Sequence, residues 1–204
     1  MLLAAGRTFI SGPFNLTSHQ VLRVEGTLRA PAVPDLARWP RLPHFPSYQL
    51  SRSGHWTRYA PLVGAYNQTN ITIDGAGGTG TIDGQGAWWW DAAVTRNALS
   101  AERPRLVEPE WVRGFVVQGI TLTQSPYWTL HPIYCDDVRV SNAVIWAILQ
   151  RRCVGGVSES SESIFPPSMK TKTGCTRAVF CSGTPPSPTP NSYFCDSETV
   201  SRHI

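Results

Sequence analysis

The sequence predicts an all-β chain: a parallel β-helix, present as a partial solenoid over residues 1–150, followed by a disordered tail over 151–204. Three observations carry this reading. Short β-branched runs recur between Gly and Asn punctuation. Two of the runs superpose at a fixed offset of 23 residues, Gly114-Phe-Val-Val-Gln-Gly119-Ile-Thr-Leu on Asp137-Val-Arg-Val-Ser-Asn142-Ala-Val-Ile. The composition changes abruptly near residue 150, where Ser, Thr and Pro rise from 31 of the first 150 residues to 22 of the last 54.

Taken in order, the expected strands are Val21-Leu-Arg-Val24, Asn70-Ile-Thr-Ile73, Phe115-Val-Val117, Ile120-Thr-Leu122, Val138-Arg-Val140 and Val144-Ile-Trp146. The Asn70 unit precedes the Gly114 unit by 44 residues, which reads as close to two periods with an insertion between. Two short strands per unit, joined by a residue able to take a positive φ (Gly75, Gly119, Asn142), suit a β-helix in which each strand pairs with the next rung. Leucine-rich repeats share a period in the low twenties, but their Leu-x-x-Leu-x-Leu frame is missing. An antiparallel sandwich would use the same short runs and leaves the 23-residue self-match without a cause.

Charged residues make up only 16% of the chain, with 17 Gly, 17 Pro and 8 Trp, which argues against a helical bundle. No apolar run reaches 18 residues, so no membrane span is expected. The net charge of +4 divides evenly, +2 before residue 150 and +2 after it, with no basic cluster to suggest nucleic acid. Met1-Leu-Leu-Ala-Ala-Gly-Arg-Thr8 has no charged leader region and is too short an apolar stretch for a signal peptide. Asp74-Gly75 and Asp83-Gly84 read as turn pairs, and Trp88 to Trp90 as cover for a rung or an insertion.

At Thr81-Ile-Asp-Gly-Gln-Gly86-Ala-Trp-Trp-Trp90 the sequence resembles the "IDGQG…WW" signature of the polygalacturonases, family 28 of the glycoside hydrolases. Arg103-Pro-Arg-Leu106, followed by Gln124-Ser-Pro-Tyr-Trp128-Thr-Leu-His131-Pro132, is similar to that family's "RP…L…NSPxWxxHP". Thr8-Phe-Ile-Ser-Gly-Pro-Phe-Asn-Leu-Thr-Ser18 resembles its "TGPFNLTS" stretch, and Trp39-Pro40, Leu42-Pro43 and Pro46-Ser-Tyr48 look like the plant and algal type. The resemblance implies a right-handed parallel β-helix that hydrolyses α-1,4 links between galacturonic acids in pectin, with inversion and with no metal or cofactor. It implies an extracellular or cell-wall setting, pectin or oligogalacturonate as partner, and a monomer. Asn15-Leu-Thr17, Asn67-Gln-Thr69 and Asn70-Ile-Thr72 are N-glycosylation sequons that suit a secreted parent.

Trp128, His131 and Tyr134 are the expected substrate-binding constellation: an aromatic, an imidazole and a phenol able to meet a uronate ring and its hydroxyls, with Pro126 bending the chain toward them. The competing structural role is that Trp128 packs and His131 ties a loop by a neutral hydrogen bond. No catalytic residue is assigned. Inversion needs a carboxylic acid and a carboxylate base, which the family carries in "NTDG" and "GDD" motifs, followed by "GHG" and "RIK", on rungs after the one ending near Trp146. Residues 147–204 contain none of these, and their one Asp is Asp196. Asp136-Asp137 sits where the family has a turn, and an extended pair points to opposite faces. The chain is therefore expected to be inactive, with a non-catalytic pectin- or oligogalacturonate-binding β-helix, or a gene-model fragment without function, as the alternatives. The tail has Cys spacings that match no zinc pattern and a Thr184-Pro-Pro-Ser-Pro-Thr-Pro190 run, and an out-of-frame origin fits its abrupt onset.

Overall fold

A computed structural model describes residues 1–48 and 56–148, and the strand Arg177–Ala178. The chain winds through five turns. The first holds β1 (Leu2–Leu3), β2 (Thr8–Ile10) and β3 (Phe14–Asn15). The second holds β4 (Val21–Val24) and β5 (Thr27–Arg29), makes an excursion through β6 (Arg41–Pro43) and β7 (Thr57–Tyr59), and closes with β8 (Val63–Tyr66). The third holds β9 (Thr69–Asp74) and β10 (Gly80–Asp83), makes a helical excursion through α1 (Ala87–Trp90) and a π-helical turn (Asp91–Thr95), and closes with β11 (Val107–Glu110). The fourth holds β12 (Arg113–Gln118) and β13 (Ile120–Thr123), and the fifth β14 (Asp136–Ser141) and β15 (Val144–Ile148). Three parallel sheets result, in the orders β1-β4-β9-β12-β14, β2-β5-β10-β13-β15 and β3-β8-β11, while β6 and β7 pair antiparallel. This is the parallel β-helix the sequence predicts.

Register makes the core. Phe9, Leu28, Ile82, Leu122 and Ile145 stand one above another across the second sheet, and Leu22, Ile73, Val117 and Val140 across the first. Leu28, Ile82, Leu122, Leu22, Ile73 and Val117 are all buried. Because side chains alternate faces along a strand, a one-residue slip would turn every such ladder outward.

The 23-residue offset is the true rung spacing: Phe115 pairs with Val138 and Thr121 with Val144. The 44-residue offset is corrected. Ile71 pairs directly with Phe115, so the two units are adjacent rungs and the extra length is the helical excursion carried by one turn, not a second turn. The corners share a backbone habit. His19, Asn70, Gly114 and Asp137 occupy one corner with φ of 61°, 53°, 74° and 53°, and Asn67, Trp111 and Tyr134 another with 51°, 57° and 55°. Gly119 and Asn142 have positive φ as expected, at 55° and 49°. Gly75 does not, at −91°. The turn it opens is lengthened by a 3-10 segment (Ala76–Gly78), and the left-handed residue moves to Ala76 at 53°. Gly75 is required instead by crowding, since a Cβ there would stand on the carbonyl oxygen of Gly119.

The two excursions pack on each other. Trp39, Tyr59, Trp89, Ala92, Leu99 and Ala101 form a second core, with the Trp39 and Tyr59 rings 5.2 and 5.1 Å from Trp89 and the Trp39 indole N–H donating to the Ala60 carbonyl at 2.9 Å. Trp89 and Trp88 thus cover an insertion, as expected, whereas the Trp90 indole N–H donates to the Ser125 carbonyl at 3.0 Å. Residues 151–204, expected as a disordered tail, lie outside the described residues except for β16 (Arg177–Ala178), which pairs antiparallel with Ala147 and Ile148 of β15.

The stacking predicts a sharp contrast between glycines. A Cβ on Gly80 would meet the Val24 carbonyl, whereas one on Gly12 would meet nothing within 4 Å. Gly80→Ala should therefore lower stability by about 3 kcal/mol and Gly12→Ala should leave it within about 0.5 kcal/mol, both read by urea unfolding.

Candidate functional site

The segment after β13 continues the third sheet without being a regular strand. Gln124 turns at φ 49°, and the chain then lies along β11: Leu106 and Val107 donate to the carbonyls of Trp128 and Thr129 at 3.0 Å, and His131 and Ile133 donate to those of Val107 and Pro109 at 2.9 and 3.0 Å. Trp128 is left 39% exposed, braced edge-on by the His131 ring at 4.6 Å. His131 is buried, with Nδ1 3.0 Å from Glu108 Oε2 and Nε2 3.2 Å from the Tyr48 hydroxyl. The structure brings these two expected residues together. Tyr134 faces elsewhere: its ring stacks on Trp111 at 4.3 Å, and its hydroxyl accepts from the Ser47 N–H at 2.8 Å. It meets the pair only through the 44–48 loop, where Ser47 holds Tyr134 and Tyr48 holds His131.

Against Trp128 and His131 lies a charged cluster drawn from β7, from β11 and from the segment before β11. Glu108 and Glu110 are two apart on β11 and so share its outer face, which the first excursion covers. Arg58 of β7 bridges them, Nη1 to Glu108 at 2.6 Å and Nη2 to Glu110 at 2.7 Å. Arg105 reaches Glu102 at 2.7 Å and Glu108 at 3.3 Å, and His44 Nε2 lies 3.3 Å from Glu102. Arg58, Glu102, Arg105 and Glu108 are all buried. Their guanidiniums stack on rings: Arg58 over Phe45 at 4.0 Å, and Arg105 5.2 to 5.4 Å from Phe45, Tyr127 and Trp128.

With neutral imidazoles this cluster has two cations against three carboxylates, and the buried medium responds. Burial pushes the Glu110 carboxyl up despite Arg58 beside it, and pushes His44 down, toward the neutral ring, despite Glu102. Burial also lowers Arg58 and raises the Tyr48 phenol. Arg103, held between Trp90 at 3.7 Å and Tyr127 at 4.6 Å, falls to about 10 through the same desolvation.

The described carboxylates are committed to these pairings. Glu108 spends both oxygens on Arg58, Arg105 and His131, and buried Asp83 is taken by Arg29 at 3.0 Å and by the Gln85 side chain at 2.7 Å. Asp136 and Asp137 sit at an exposed corner against Arg113 and Arg139, 3.6 and 3.0 Å away. Every described Asp and Glu is thus in an ion pair, and among the described residues no group of three His, Cys, Asp or Glu is placed to hold a metal. The sequon asparagines Asn15, Asn67 and Asn70 are all exposed, the first on β3 and the others at corners.

Residues 49–163 match the model of the glycosyl hydrolases family 28. A Vitis vinifera protein named "Probable polygalacturonase" is 31% identical over 161 residues, 79% of this chain and 32% of that protein. A polygalacturonase of Juniperus ashei is 31% identical over 134 residues, 63% of this chain and 22% of that one. The chain thus spans about a third or less of the length of these relatives. An exopolygalacturonase of Thermotoga maritima superposes with a TM-score of 0.55 at 24% identity, over 72% of this chain and 38% of that chain, a likeness of fold.

Two outcomes follow from the buried charges. Glu108→Gln leaves Arg58 with Glu110 alone and Arg105 with Glu102 alone, and should cost about 3 kcal/mol in urea unfolding. The pH dependence has opposite contributions. His44 is depressed in the fold, so its contribution is full above its ordinary pKa and is lost as pH falls from 7 toward 5. Glu110 is raised, so the fold takes up its proton before the unfolded chain does and gains as pH falls. His44→Gln should flatten the loss of melting temperature between pH 7 and 5, and Glu110→Gln should steepen it.

Proposed function

Since the chain belongs to family 28 of the glycosyl hydrolases, we propose that it is the substrate-facing portion of a polygalacturonase-type protein whose substrate is the α-1,4-linked galacturonate of pectin. The observation that carries this reading is the half-exposed Trp128 held edge-on by His131 above a fixed bed of arginines and glutamates. An indole fixed in this way offers a sugar ring an apolar face without the entropy of ordering it. His131 adds a hydrogen-bonding nitrogen at the edge of that face. Tyr134 contributes by holding Ser47, and so the loop that presents Tyr48 to His131.

In this reading the 204-residue chain binds and does not cut. Its sequence lacks the family's acid–base motifs, and the carboxylates around Trp128 are held in ion pairs by Arg58 and Arg105. The three sequons favour an extracellular or cell-wall setting, with oligogalacturonate as the partner of a monomer.

Titrating the purified chain with oligogalacturonate while following tryptophan fluorescence should show saturable quenching. Trp128→Ala should weaken it about tenfold; identical titrations in the two proteins would remove Trp128 from the site. Incubation with polygalacturonate should release no more reducing ends than a heat-killed control, and release above that control would overturn the non-catalytic reading.

A further inference from the structure

The three sequons share a sequence pattern and differ in what the fold does with them. Asn15 lies down on Gly64 of the next rung, where its side-chain oxygen fills the place a Cβ would take. Asn70 is engaged on both sides: its Nδ2 is 3.4 Å from His19 Nδ1, and its Oδ1 stands 2.9 Å from where a Cβ on Gly114 would be. Asn67 is exposed, and among the described residues its side chain has no hydrogen-bond partner; its backbone N–H donates to the Glu110 carbonyl at 2.9 Å.

Directly above Asn67 along the solenoid axis come Trp111 and then Tyr134, at the same left-handed corner of successive rungs. A bulky aromatic residue at positive φ is strained, and the strain persists only where the surroundings impose it. Here it stacks the two rings, 4.3 Å apart and 24° from parallel, with Trp111 48% exposed. Tyr134 covers one face of the Trp111 indole. Tyr134 is on the rung after Trp111 and Asn67 on the rung before it, which puts the opposite face of the indole on the Asn67 side.

We propose that Asn67 is an N-glycosylation site whose first N-acetylglucosamine packs on the free face of Trp111, a reading that rests on passage of the chain through a secretory compartment. In the transfer, the Asn67 amide nitrogen forms a bond to the anomeric carbon of an oligosaccharide carried on a polyprenyl pyrophosphate. The bond from that carbon to the pyrophosphate oxygen breaks, the lipid pyrophosphate leaves, and the amide gives up one proton. The aromatic corner then serves as a shelf for the proximal sugar, covering apolar surface that is otherwise in water.

The test expresses the full chain behind a cleavable leader in a eukaryotic secretory host, so that the natural location of the protein does not enter the result. Peptide mass spectrometry should find Asn67 occupied, and more fully than Asn15 or Asn70. After enzymatic trimming to one sugar, the protein should melt about 2 °C above Thr69→Ala, which removes this sequon and leaves Asn67 in place. Trp111→Asn, which tolerates the left-handed backbone, should abolish that difference. In the unsubstituted chain the single sugar should also shield one tryptophan from acrylamide quenching. An unmodified Asn67, a melting difference that survives Trp111→Asn, or unchanged quenching would each overturn the proposal.

Discussion

Parallel pairing of each rung with the next, in strict register, is the constraint on which this molecule depends. It decides which residues face inward, because Phe9, Leu28, Ile82, Leu122 and Ile145 can form one column only if every intervening corner returns the chain to the same phase. It decides the backbone at those corners, where His19, Asn70, Gly114 and Asp137 repeat one left-handed bend. It also decides where length is tolerated. The two excursions leave from corners and return to corners, so 44 residues between Ile71 and Phe115 satisfy the same pairing as 23 between Phe115 and Val138.

The excursions in turn explain the buried charges. An outer sheet face of a solenoid normally meets water, and Glu108 and Glu110 are ordinary residues for such a face. Covering that face with β7 and the 44–48 loop removes the water, and Arg58, Arg105 and His44 take its place. Such a cluster is weak as a source of stability, because desolvation offsets most of the Coulombic gain. Its effect is positional. Each carboxylate has one geometry that satisfies its partners, and Glu108 passes that geometry to His131 and so to the edge of Trp128.

The same division separates what could be read from the sequence from what could not. Rungs four and five carry no excursion between β12 and β15, so their 23-residue identity stood open in the chain, and all six expected strands are present. The earlier rungs are harder to read: β5, β8, β10 and β11 are short, and where an excursion intervenes their pairing partners lie 40 to 54 positions away. The contact between Trp128 and His131 is legible because an aromatic and an imidazole three positions apart lie in one motif. Arg105 stands in the Arg103-Pro-Arg-Leu106 stretch with Glu102 and Glu108 three positions to either side, but no spacing relates Arg58 of β7 to Glu108 and Glu110 of β11; only the covering of one strand by the other does. Gly75 shows a subtler failure. A glycine at a turn suggests a positive φ, yet here it answers a carbonyl oxygen on the next rung, a contact invisible to local pattern.

These features also bear on what this part of the chain can do chemically. A general acid needs a carboxyl free to hold and release a proton, and a base needs one open to water. Glu110 has the raised affinity for a proton that an acid requires, but Arg58 occupies it at 2.7 Å, and the other carboxylates near Trp128 are buried in ion pairs. The arrangement that makes Glu108 a firm support for His131 is the one that withholds it from catalysis. In these rungs the carboxylates are therefore placed to support rather than to react: Arg58 and Arg105 hold Glu108, and Glu108 holds His131 at the edge of Trp128.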